Sequence, residues 1–126
     1  MKNFKYFSAG LIAILIMTFI VFSVNQEEKE IIAARGVIKR VLPEYSGQFV
    51  LKLLHNKGVP DYFEIEPDNG KISISGTSGI AICSGFNYYL KNICHAPWNF
   101  RTGNNIEIKG DLPVSFSKIS KESPYE

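Results

Sequence analysis

Residues 6–24 form an almost continuous apolar run, broken only by Ser8, Gly10, Thr18 and Ser23, and Lys2 and Lys5 precede it. A short positive region followed by an apolar stretch is the layout of an export signal. At about 1.5 Å per helical residue the run nearly matches a bilayer hydrocarbon core of about 30 Å. Val21 and Ser23 offer the small residues a signal peptidase needs at −3 and −1, but Phe19 and Phe22 crowd the site. The pattern therefore allows a cleaved signal peptide or a retained signal anchor over 1–24. No cysteine stands directly after the run to carry a lipid.

Beyond the leader the period changes. Asn25 and Glu28 have capping-box spacing, which predicts a helix start at Asn25. Ile31, Ala34, Ile38 and Val41 then recur at intervals of three and four, with Lys29, Glu30, Lys39 and Arg40 elsewhere on the wheel. Pro43 forbids continuation, so an amphipathic helix should end near Leu42. Phe49, Leu51 and Leu53 alternate with Val50, Lys52 and Leu54, a period of two with both faces largely apolar, which predicts a central strand.

Residues 62–66 and 71–75 flank Pro67, Asp68, Asn69 and Gly70, and Asn-Gly is a strong hairpin signal. With Asn69 and Gly70 as the loop, Asp68 faces Lys71, Glu66 faces Ser73 and Ile65 faces Ile74, which puts Phe63, Ile65, Ile72 and Ile74 on one face. Ile82, Phe86, Tyr89, Leu90 and Ile93 return to helical spacing, with Thr77 or Ser78 as cap and an end near Asn92. Gly79 and Gly85 in or beside this helix suggest close approach to the sheet. A short last strand is predicted at 106–109, and the serine-rich stretch 113–126 reads as a linker or tail. The expectation is one α+β domain over 25–112, a small, mostly antiparallel sheet with two helices on one face and a polar opposite face.

Charge narrows the partners. Lys2 and Lys5 account for the whole of the +2 formal charge, so the remainder is neutral and has no footprint for a phosphate backbone. Nucleic acid is excluded as an expected partner, and a membrane contact is expected only through the N-terminal segment. Cys83 and Cys94 lie eleven positions apart in what reads as one helix, about 16 Å, beyond disulfide reach.

Candidate chemistry is sparse. His55 and His95 are the only histidines and no G-x-S-x-G motif is present. Cys83, Cys94, His55 and His95 lack the paired spacing of a metal site. Glu64 and Glu66 share one strand face and superficially resemble the acid and base of a glycosidase, yet Ser73 and Ser75 oppose them and a solvated face explains them better. No catalytic, metal or cofactor residue is assigned, and no cofactor is expected. Tyr88, Trp98 and Phe100 are the candidates for an interdomain or glycan contact.

Certain stretches carry a resemblance: Ala34, Arg35 and residues 37–42; Ile72, Ile74, Gly76, Thr77, Ser78, Gly79, Ile80 and Ala81; Gly85, Tyr89 and Leu90; and Cys94, His95, Ala96 and Trp98. Over residues 33–113 the chain resembles the N-terminal domain of alpha-N-acetylglucosaminidases, glycoside hydrolase family 89. The resemblance implies an accessory domain that precedes a (β/α)8 barrel bearing the two catalytic carboxylates, none of which has a counterpart here. The chain stops at Glu126, about where that barrel would begin, so a truncated product, split gene or fragment is expected. The implied partner is the barrel, in cis or on a separate chain. The alternative is an independent glycan-binding or structural module. The implied setting is periplasmic, extracellular or lysosome-like, or a membrane reached through residues 6–24.

Overall fold

The computed structural model describes residues 2–55, 60–96 and 106–124. A single helix, α1, runs Lys2–Val41. It is followed by a 3-10 turn Pro43–Gln48, strands β1 Phe49–Leu53, β2 Tyr62–Asp68 and β3 Lys71–Gly76, helix α2 Gly79–Asn92, and strand β4 Ile119–Glu122.

The helix expected to open at Asn25 does not start there. Its backbone continues without a break from the apolar leader. The reason lies in composition: between Gly10 and Gly36 no glycine or proline interrupts, and Gln26, Glu27, Glu28 and Lys29 are good helix formers. The amphipathic reading of the C-terminal part holds, since Ala34, Ile38 and Val41 are buried while Lys39 and Arg40 are exposed. Residues 10–20 are exposed throughout.

The sheet order is β1-β3-β2-β4, with β1 parallel to β3 and the other two pairings antiparallel. This is the mostly antiparallel α+β sheet the pattern predicts. The hairpin register also holds: Asp68 pairs with Lys71, Glu66 with Ser73 and Ile65 with Ile74. Asn69 at φ 49° and Gly70 at φ 78° make the two-residue turn, and both occupy the left-handed region that such a turn requires.

Two strand expectations are corrected. β1 is an edge strand, not a central one: it stands at the end of the strand order beside β3, with Val50 only half-buried and Lys52 exposed. Residues 106–109 have no regular structure, and the fourth strand is β4, inside the stretch that reads as a tail. An edge strand can be polar on its outer face, so Ser120, Lys121 and Glu122 around a single Ile119 gave no strand signal.

Phe49 and Leu51, Phe63 and Ile65, and Ile72 and Ile74 form the buried sheet face beneath Ile82, Phe86, Tyr89 and Leu90 of α2. The C-terminal end of α1 packs against α2 and β1. Phe49 meets Phe86 and Tyr89 edge-on, with ring centroids 5.2 and 5.7 Å away. The extended segment 106–118 closes the core with Leu112 buried and Phe116 against Tyr89. Tyr89 Oη donates to the Pro113 carbonyl at 2.8 Å and Tyr45 Oη to that of Gly110 at 3.1 Å. The opposite sheet face is polar, but Ser73 and Ser75 on it are buried, because short serine side chains sit low between the larger residues of neighbouring strands.

Candidate functional site

A dense polar cluster surrounds the turn from β3 into α2. Gly76 is needed there, since a Cβ would lie 2.7 Å from the Ile82 backbone nitrogen. Ser78 is the N-cap, accepting from the Ala81 N–H at 3.1 Å. Asp61 accepts one hydroxyl hydrogen bond on each carboxylate oxygen, from Thr77 at 2.8 Å and Ser78 at 2.5 Å. Thr77 Oγ1 in turn accepts from the Tyr62 N–H at 3.1 Å. Glu30 of α1 accepts from the Gly79 N–H at 2.7 Å. Two carboxylates thus offset the positive end of the α2 dipole. Ser123 adds its N–H to the Asp61 carbonyl at 2.6 Å, and its hydroxyl lies 2.9 Å from that of Ser84. The cluster ties α1, α2, β3 and the chain after β4 together, and its groups are satisfied from within.

On the polar sheet face, Lys118 Nζ stands 2.8 Å from Glu64 and 3.8 Å from Glu66. Glu64 and Glu66 raise the Lys118 pKa, chiefly through the hydrogen bond that Lys118 donates to Glu64. A cation between the two carboxylates is an ion-pair arrangement, unlike a glycosidase pair facing a sugar ring. Lys52 pairs with Asp68 at 3.6 Å.

A shallow groove of about 490 Å³ runs between α1 and β1, lined by Ile31, Ile32, Leu51 and Leu53 with Glu27, Glu28, Lys52 and His55 on its rim. His55 Nδ1 lies 3.3 Å from a Glu27 carboxylate oxygen. His95 is remote from it in sequence and role: with φ 53° it turns the chain after α2, a position histidine fills more readily than most non-glycine residues.

Both cysteines are free and half-buried. Burial raises the Cys83 thiol pKa, partly countered by Arg40, and burial raises that of Cys94, partly countered by its bond with Tyr89. Raised thiols are poor nucleophiles near neutrality. Tyr89 is likewise pushed above its ordinary value, by burial first and by Cys94 second.

Of the three aromatic candidates, Tyr88 is half-buried on α2, tilted against Phe63 at 5.8 Å, with Lys121 Nζ 5.3 Å from its ring centroid. Trp98 and Phe100 lie outside the described residues. Sequence reasoning missed Asp61, which joins Thr77 and Ser78 across a separation of 16 and 17 residues, and Glu30, 49 residues from its partner. No local spacing signals bonds of that range.

No curated protein sequence matches the chain. Solved structures do. A family 89 glycoside hydrolase from Clostridium perfringens in complex with PUGNAc is 31% identical, with a TM-score of 0.72, over 82% of this chain and 12% of that one. The same values hold for that organism's enzyme in complex with its substrate GlcNAc-alpha-1,4-galactose. Its complex with 2-acetamido-1,2-dideoxynojirmycin is 30% identical with a TM-score of 0.73, over 82% and 12%. The chain therefore spans about an eighth of the length of these relatives. The model of the alpha-N-acetylglucosaminidase (NAGLU) N-terminal domain matches residues 32–114. This chain belongs to the alpha-N-acetylglucosaminidase N-terminal domain family of the family 89 glycoside hydrolases.

Proposed function

We propose that the chain is a non-catalytic accessory domain of an exported alpha-N-acetylglucosaminidase, whose work is to pack against the catalytic barrel and steady it. The observation that supports this most directly is the family match over residues 32–114, set beside the internal engagement of the polar groups. Asp61 and Glu30 serve the start of α2, and Glu64, Glu66, Asp68 and Glu27 each have a cation or imidazole of the same domain as neighbour. The apolar leader supports export, since α1 has a stretch long and apolar enough to cross a membrane by length and composition. Tyr88, Trp98 and Phe100 are assigned to the interdomain contact.

The test uses the full chain and the Clostridium perfringens hydrolase shortened by the segment that this chain matches. With GlcNAc-alpha-1,4-galactose, the chain alone should release no product and show no saturable binding. Mixed with the shortened hydrolase, it should bind and raise that enzyme's thermal stability or activity, and Trp98→Ala or Tyr88→Ala should weaken the association about tenfold, a hot-spot loss of about 1.4 kcal/mol. Hydrolysis by the chain alone would overturn the reading. Saturable sugar binding without association would establish a free-standing glycan-binding module instead.

A further inference from the structure

The leader and the domain share one helix. Residues 10–20 carry Leu11, Ile12, Ile14, Leu15, Ile16, Met17, Phe19 and Ile20, all exposed, and these fall on every side of the helix. An apolar surface all round a helix suits lipid, where no face is preferred; a partner helix or groove would need only one stripe. The run 6–24 is about 28 Å of helix, close to the hydrocarbon thickness. Lys2 and Lys5 precede it, and a polar stretch, Asn25 to Glu30, follows. Those six residues are exposed, Ala34 is the first buried residue beyond them, and Glu30 is bonded to Gly79 of the domain. At about 1.5 Å per residue the helix over residues 25–33 is about 13 Å long, enough to clear a headgroup layer of about 5–8 Å.

We propose that α1 is retained as a single-pass anchor, with Lys2 and Lys5 on the inner side and the domain outside, and that the domain is carried on it as a rigid extension of the membrane helix. The occupant of the exposed apolar surface is the bilayer. Cleavage after Ser23 would cut through the middle of a continuous helix; in an anchor that continuity fixes the domain close to the membrane surface. The inference rests on the export reading above, and its test separates the two.

The full chain with a C-terminal tag is expressed in a bacterial host, and membranes are washed with alkaline carbonate. The expected result is uncleaved protein with its Met1-containing leader, at least tenfold enriched in the washed membranes, its domain digestible by protease added from outside. Leu15→Arg combined with Ile16→Arg should lower that enrichment at least tenfold. In lipid nanodiscs, amides of residues 22–30 should be protected from hydrogen exchange as a helix is. Anchored protein whose 22–30 amides exchange at once would overturn the rigid extension. Exported soluble protein beginning near Asn25, with Asn25 and Glu28 then serving as the cap, would overturn the anchor and leave export standing. Full-length soluble protein inside the cell would overturn both.

Discussion

Gly85 shows how one residue fixes the distance between layers. A Cβ there would lie 2.9 Å from Ile74 Cγ2 and 3.1 and 3.2 Å from the Phe63 ring, all in buried side chains that cannot step aside into solvent. Gly85→Ala is therefore expected to cost about 1–3 kcal/mol by overpacking, despite alanine's better helix propensity. Gly47, which has nothing within 4 Å of its Cβ position, gives the control: Gly47→Ala should change little. Urea midpoints of the two variants check this, and equal midpoints would refute it. The packing role of Gly85 was legible in the sequence as a glycine on a helix. Gly79 was legible only in part, because its close neighbour is Glu30 of α1, with the carbonyl oxygen 3.1 Å from the Cβ position, and not the sheet.

The elements that could be read from the sequence are those whose signals are local. The hairpin followed from Asn69 and Gly70 with matching alternation, and α2 from five apolar residues at helical spacing with Ser78 before them. β4 and the edge position of β1 could not be read, since strand order is set by pairings between distant segments. The same holds for the Asp61 cluster, whose strength should appear as coupling between its members. Ser78→Ala alone is expected to cost about 0.5–2 kcal/mol as a lost cap. Asp61→Ala should cost a comparable amount, and the double variant less than the sum, with a coupling of about 0.5–3 kcal/mol. A double-mutant cycle by denaturant titration measures this; strict additivity would mean that the bonds among Asp61, Thr77 and Ser78 contribute little.

At the scale of the whole molecule, stability should depend on pH on the alkaline side. Cys83, Cys94 and Tyr89 all have raised pKa values in the fold, caused first by burial. Below the ordinary thiol range, about 8.5, both folded and unfolded states hold the protons and nothing is lost. Above it the unfolded thiols ionise while the folded ones do not, so stability falls as pH rises, by at most about 1.4 kcal/mol per unit for each group. Tyr89 adds its share from about pH 10 upward. Urea midpoints between pH 7 and 10 should decline, and a Cys83→Ala, Cys94→Ala variant should show a shallower decline whatever its absolute stability. The placement of β4 has a consequence for the order of events during synthesis. β2 keeps one unpaired edge until residues 119–122 arrive, and the segment 106–118 covers Tyr89 only just before. A chain emerging N-terminus first holds its helices and hairpin early but gains its last pairing, and the Ser123 link to Asp61, only once residues 119–123 have emerged. Ribosome-held intermediates ending before Ile119 should thus expose an open strand edge and aggregate or be proteolysed more readily than chains extended past Ser123.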